Sequence, residues 1–331
     1  MKKIMSLIIA TSVAAAMTSC AGSGAKTAET EAQADSVTDS VATVYFIKEI
    51  SPESLMKIYD ALGRKAEGRV AVKLSTGEAG NRNHLSPELI KCLIDTVHGT
   101  IVECNTAYAG KRMKTEDHLK VAADHGFTAI APFSILDAEG DTIIPATGKH
   151  LSKDIVGKDF LNYDFLMVLS HFKGHQMAGF GGAMKNISIG LASTDGKAYI
   201  HSAGKTTVPD SMWANLPVDS IFQESMAEAS KAIIDHIGPQ NALYINVANN
   251  LSIDCDCNGN PAPAEMADLG IFASLDPVAV DRACLDAVRN SPDHGKQHLL
   301  ERIEARKAPH NLDYAEQIGA GTQKYRLVEI K

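Results

Sequence analysis

Residues 165–190 read FLMVLSHFKGHQMAGFGGAMKNISIG. Phe165 to Leu169 is an unbroken apolar run, the pattern of a strand covered on both faces, and a glycine-rich loop carrying His and Lys follows it. Open α/β sheets bind ligands outside the carboxyl ends of their strands, so position alone makes this loop a candidate site. Outward from it, short β-branched runs recur at Val44–Ile50, Val70–Leu74, Thr100–Cys104, Leu243–Val247 and Leu269–Ala273. Amphipathic segments lie between them, and their starts are marked. Ser51–Pro52–Glu53 and Ser86–Pro87–Glu88 each set a capping hydroxyl, a first-turn proline and an acid at the positive end of a helix. Asp276–Pro277 does the same. The clearest helix is Ile221–Ile237, with Ser220 and Gln223 as a capping box and Gly238–Pro239 as its stop. The alternation predicts an α/β fold, a largely parallel sheet flanked by helices. Turn-rich residues from Ala131 to Leu161 read as a hairpin or a subdomain insertion, which would give two subdomains.

The chain is long enough to bury a large core without staples. Its net charge of −8 argues against a nucleic-acid surface built on excess positive charge. The only long apolar run is at the N-terminus. Lys2 and Lys3 precede the alanine-rich stretch Ile4–Met17, and Thr18–Ser19–Cys20 closes it. That order is expected of an export signal over residues 1–20. The segment from Ala21 to Thr43 has no aromatic, Leu or Ile and cannot bury enough to offset its ordering entropy, so it reads as a flexible tether. A folded α/β domain is expected from residue 44 to 331.

Chemistry concentrates in two segments. In the glycine loop, His171, Lys173, His175 and Lys185 bring donors and imidazoles together. Gly181 and Gly182 permit close backbone approach, and Asn186 adds an amide. The pattern is neither a phosphate-binding Walker loop nor a dinucleotide fingerprint. It reads as a loop for a small anion, with His171, His175 and Lys173 as candidate acid–base or catalytic groups. The bland alternative is a structural glycine turn. Two further strand-end loops, Lys73–Glu78 and Tyr108–Arg112, place Lys73, Glu78 and Arg112 where they would complete a pocket or lie solvated on the surface.

The second segment contains Cys255–Asp256–Cys257, also after an expected strand. Two thiols one residue apart can ligate one soft transition metal, with Asp254 or Asp256 alongside. They could instead form a strained disulfide or remain inert thiols. Cys92, Cys104 and Cys284 sit among apolar residues and are expected in the core. No serine nucleophile elbow and no zincin helix is present.

Thr18–Ser19–Cys20 resembles the lipobox of bacterial lipoproteins, which implies acylation of Cys20 and a cell-envelope location, facing the periplasm or on the outer membrane. The membrane would then be met through the lipid anchor alone. Ser170–His–Phe–Lys–Gly–His175, Gly179–Asn186, Cys255–Asp–Cys257 and Ala273–Asp281, in that order, resemble the domain of unknown function family 362, whose proteins are often labelled iron–sulfur centre proteins. Many of them carry a ferredoxin-like insertion after the glycine loop. The matching stretch here, Gly196–Ile221, has no cysteine, and a conventional four-iron cluster needs four thiolates. The loop is also similar to that of the lactate and sugar-acid racemases, a group that uses a nickel-containing cofactor and a pair of histidines. These readings imply an envelope protein that uses a metal or cofactor to handle a small anion. The alternatives are a non-catalytic metal- or solute-binding lipoprotein and, disfavoured, an electron carrier.

Overall fold

The computed structural model describes residues 41–331. The expected signal, Cys20 and most of the tether fall outside the described residues. Among the described residues twelve strands occur in chain order. They are β1 (Ala42–Ile47), β2 (Val70–Lys73), β3 (Thr100–Glu103), β4 (Phe133–Ile135), β5 (Asp141–Pro145) and β6 (Lys153–Gly157). Then come β7 (Phe165–His171), β8 (Lys173–His175), β9 (Gly179–Gly181), β10 (Ala242–Ala248), β11 (Gly270–Ser274) and β12 (Tyr325–Glu329). Eight form one sheet in the order β12-β1-β11-β10-β7-β2-β3-β4, and β5-β6 and β8-β9 are separate pairs. From β10 to β4 every pairing is parallel, whereas β11 runs against both of its neighbours. The fold is α/β with a mostly parallel sheet.

The alternation of side chains along β7 explains the layering. Phe165, Met167 and Leu169 enter one apolar cluster with Leu55, Ile58, Ile90 and Leu93, from helices Pro52–Ala61 and Pro87–Val97. Leu166 and Val168 enter the other, with residues of helices Ala183–Leu191, Asp219–Ile237 and Pro277–Asn290. Period-two geometry on a strand buried at all seven positions therefore glues helices to both faces. The caps at Ser51, Ser86 and Asp276 each accept a backbone N–H of the following turn. Among the described residues no helix is long and apolar enough to cross a membrane.

Several expectations change. The first strand opens at Ala42, two residues early, because Ala42 already pairs with Tyr325. Val218 is the N-cap of helix Asp219–Ile237, so Ser220 lies inside the first turn and no capping box forms. Gln223 instead donates to the Ala178 and Arg306 carbonyls, a tertiary use that local spacing cannot reveal. Cys104 and Cys284 are buried, but Cys92 is exposed. The buried face of its helix is Leu89, Ile90, Leu93, Ile94 and Val97, and position 92 falls on the opposite side at about 100° per residue. The residues 131–161 form β4, the β5-β6 hairpin and connecting turns.

Candidate functional site

Going from β2 to β3 to β4 the chain moves one way across the sheet, and β7 then lies on the other side of β2. The carboxyl ends of β2 and β7 therefore diverge into a crevice, the place where open sheets bind ligands. Three loops meet there. Phe172 and Gly174 donate backbone N–H groups to the Val247 and Ser252 carbonyls, both at 2.8 Å, which ties the glycine loop to the chain leading into Cys255. Glycine is required at 174, since a Cβ there would sit 2.4 Å from the Ile253 carbonyl oxygen. The loop after β2 joins through Glu78 N–H to the Asp256 carbonyl at 2.7 Å and Asn81 Nδ2 to the Asn258 carbonyl at 2.8 Å.

His175, Cys255 and Cys257 converge, with one potential ligand atom from each lying within 4.8 Å of the others. Both cysteines are free thiols. Cys255 is held well below the usual thiol range by a hydrogen bond from Cys257 and then, against burial, by the Lys185 charge. Cys257 is pushed up correspondingly. The pair gives up one proton readily and the second with difficulty. Burial, followed by Lys185, lowers His175. Its Nδ1 accepts the Met177 and Ala178 N–H groups at 3.1 and 2.9 Å, so the ring proton of neutral His175 resides on Nε2. Nε2 lies 4.0 Å from the Cys257 sulfur. A histidine ligand usually donates its other nitrogen outward, and His175 does the reverse, so it is built to donate to a thiolate. The two sulfurs fit a soft metal ion. Among the described residues no four-thiolate set forms, since Cys104 donates to the Leu191 carbonyl, Cys284 faces Asn246 and Cys92 is exposed on its helix.

His171 is nearby but engaged. Its Nδ1 lies 2.8 Å from Asp256 Oδ1 and its Nε2 2.6 Å from the Asn249 carbonyl. Lys173 Nζ donates to the His171 carbonyl at 2.9 Å and ion-pairs with Asp256 Oδ2 at 2.7 Å. Asp256 is therefore a buried counterion and not a ligand beside the thiols, and Asp254 faces Arg302 and the Ala262 N–H. Burial would raise the Asp256 carboxyl, but the His171 and Lys173 charges hold it at about 2. A depressed carboxyl contributes stability above its unfolded value of 3.8, and that stability is lost as pH falls towards 2. The expected contribution is about 2 kcal/mol. Urea unfolding of Asp256→Asn between pH 4 and pH 2 should show a correspondingly shallower fall than the parent; an identical slope would count against the ion-pair cluster.

The crevice encloses a cavity of about 70 Å³, room for a few waters or one small anion. Lys73, Arg112, Lys173, Lys185 and Lys197 all line it. Most are already partnered. Lys73 Nζ donates to the Leu74 carbonyl at 2.6 Å and to Asn186 Oδ1 at 3.0 Å, and burial lowers it to about 8. Asn186 Nδ2 returns to the Lys73 carbonyl and Ser170 Oγ, each at 3.0 Å, cross-linking the diverging strands. Arg112 pairs with Glu103 at 3.1 Å and Glu78 at 3.7 Å; all three are buried, so these loops complete the pocket wall. Burial would raise Glu103, but His118 and then Arg112 hold it well below the carboxylate range. Lys197 Nζ donates to the Ala192 carbonyl, and the Lys185 ammonium alone among these cations has neither a carboxylate partner nor a hydrogen bond within the described residues.

The glycine turn serves the protein's own acid. Asp281 accepts the Ala183 and Met184 N–H groups at 2.7 and 2.9 Å and occupies the N-terminus of helix Ala183–Leu191. A Cβ at Gly182 would lie 2.3 Å from Asp281 Oδ1. That helix start is therefore already filled from within the chain, and a Cβ at Gly181 would lie 3.5 Å from both the Lys173 and Lys185 side chains.

One residue had no sequence signal. His201 ends helix Thr194–His201, stacks on Phe222 and points its Nδ1–H at the Lys197 carbonyl, 2.7 Å away. That leaves Nε2 as a bare acceptor in a chamber shared with His175, Cys255 and Cys257. Burial pushes its pKa down to about 3, so it stays neutral.

Comparison with known proteins supplies a family. The Domain of unknown function (DUF362) family model matches residues 70–286. A search of curated proteins gives no match. Among solved structures, the chain is similar to the lactate racemase apoprotein from Thermoanaerobacterium thermosaccharolyticum, with 17% identity, a TM-score of 0.45 and coverage of 75% of this chain and 57% of that one. It is also similar to a Thermotoga maritima protein solved by a structural genomics consortium, with 14% identity, a TM-score of 0.41 and coverage of 72% and 58%. The chain thus spans less than two thirds of either solved chain.

Proposed function

The chain belongs to the Domain of unknown function (DUF362) family, and from that premise we propose that it is a metal-dependent protein that handles a small anionic molecule at the Cys255–Cys257 pair. The observation carrying this reading is the convergence of two free thiols and His175 within 4.8 Å, beside Lys185, whose ammonium has no carboxylate partner among the described residues. A thiolate pair selects a soft ion over a hard one. In this reading His175 supplies an Nε2–H to a sulfur and Lys185 receives the anion. Placement in the cell envelope through an acylated Cys20 is part of the same proposal and rests on the N-terminal sequence.

Metal analysis of protein purified without oxygen tests the reading. About one soft metal ion per chain is expected in the parent, and nearly complete loss in the Cys255→Ser/Cys257→Ser double variant. Equal metal in both, or a metal-free parent with a bridged pair, would sink it. A binding role without turnover is the second reading, and the engagement of both His171 nitrogens favours it. Exchange of carbon-bound hydrogen of a bound carboxylate into deuterated water separates the two.

A further inference from the structure

An outer chamber of about 430 Å³ lies against the thiol pair, and Tyr108, Lys185, Ile189, Cys255 and Cys257 wall both it and the inner cavity. Its size falls in the range of small-molecule pockets, about 300–1,000 Å³. The lining of the chamber is chemically mixed. Lys185, His175 and the two thiols share its lining with the apolar side chains of Met177, Ile189 and Trp213. Trp213 is the only tryptophan in the chain and is 52% exposed, so its indole leaves a large apolar face open at the chamber. It sits on the short turn Trp213–Asn215, between exposed Val208 and Val218.

We propose that the outer chamber binds a carboxylate that carries a planar apolar ring. The inference rests on the anion-handling reading above and names its ligand class. The carboxylate goes to Lys185 because the inner arginine and Lys173 already have Glu103 and Asp256 as counterions. The ring goes to Trp213 because an indole face gains from offset stacking beyond its buried area, and the Met177 thioether is a favourable neighbour for an aromatic edge. A bare small anion would use Lys185 and leave the apolar wall wet.

Trp213 is its own reporter. Benzoate, acetate and benzamide are titrated against the intact, metal-loaded protein, with tryptophan fluorescence for the aromatic probes and competition for acetate. Benzoate is expected to quench Trp213 and to bind at least about tenfold more tightly than acetate, since burying a ring adds several methylene equivalents. Trp213→Ala, followed by calorimetry, should bring benzoate down to the acetate level, and Lys185→Met should weaken benzoate about tenfold or more. Acetate binding as tightly as benzoate, benzamide matching benzoate, or no benzoate binding at millimolar concentration would each overturn the proposal. Metal content measured on the same preparation keeps the two readings apart. Metal-replete protein without a ring preference defeats this inference alone, whereas metal-free parent protein that still prefers benzoate defeats the metal reading and supports this one.

Discussion

Asp281→Ala is expected to lower the unfolding free energy by about 4 kcal/mol at neutral pH, because three donors would lose their acceptor at once. The carboxylate takes Ala183 N–H, Met184 N–H and Asn246 Nδ2, the last at 2.7 Å, in a fully buried position. Each buried donor left without an acceptor carries a desolvation cost of about 1–3 kcal/mol. Asp276 caps helix Pro277–Asn290 from a half-exposed position, and Asp276→Ala should cost only about 1–2 kcal/mol. The pH dependence has its own sign. Burial pushes Asp281 up to about 6, so the folded protein holds that proton more tightly than the unfolded chain. Stability from this group is full below pH 3.8 and falls as pH rises through 6; the variant should lack that slope. Denaturant titrations from pH 4 to pH 7 check both statements. A loss below 1 kcal/mol would mean that the helix start does not depend on Asp281.

Gly174→Ala should separate the two loops that build the site. The new Cβ would meet Ile253 backbone atoms at 2.4 to 2.6 Å, and backbone cannot turn aside as a side chain can. The chains must part, weakening the Gly174 N–H bond to Ser252 and tilting His175 away from Cys255 and Cys257. Overpacking of this kind costs about 1–3 kcal/mol. Metal retention after gel filtration should fall much further than stability, because ligation needs both sulfurs placed to within a few tenths of an ångström. Gly181→Ala in the same loop is the control. Its Cβ would meet only the flexible ends of Lys173 and Lys185, at 3.5 Å, and should be tolerated. Full metal in Gly174→Ala with unaltered stability would show that the close approach is dispensable.

The site was partly legible in advance. His175, Cys255 and Cys257 come together, and Lys185 lines the same chamber, because both segments trail buried parallel neighbours, β7 and β10. His171, one strand residue earlier than the loop, offered the same imidazole in sequence yet is clamped between Asp256 and Asn249. Nothing local distinguishes the two histidines. Which ring nitrogen is free depends on acceptors and donors up to 85 residues away. His201 shows the converse: a lone histidine at the end of a helix, without a motif, gains a bare Nε2 in the chamber only through packing. Cys92 was misread because a cysteine among leucines looks apolar, and only the phase of the helix shows that it faces water.

Fold class followed from one-dimensional pattern: continuous apolar runs, capping residues and their alternation are local properties, and burial rewards them wherever the chain closes. The placement of charge did not. Whether Asp256 ligates or neutralises, whether the helix at Ala183 awaits an outside anion or holds Asp281, and which lysine is left without a partner all turn on pairings across distant segments. Electrostatic and hydrogen-bond partners are chosen by distance in space, and sequence spacing carries no record of that distance once the strands have been reordered in the sheet.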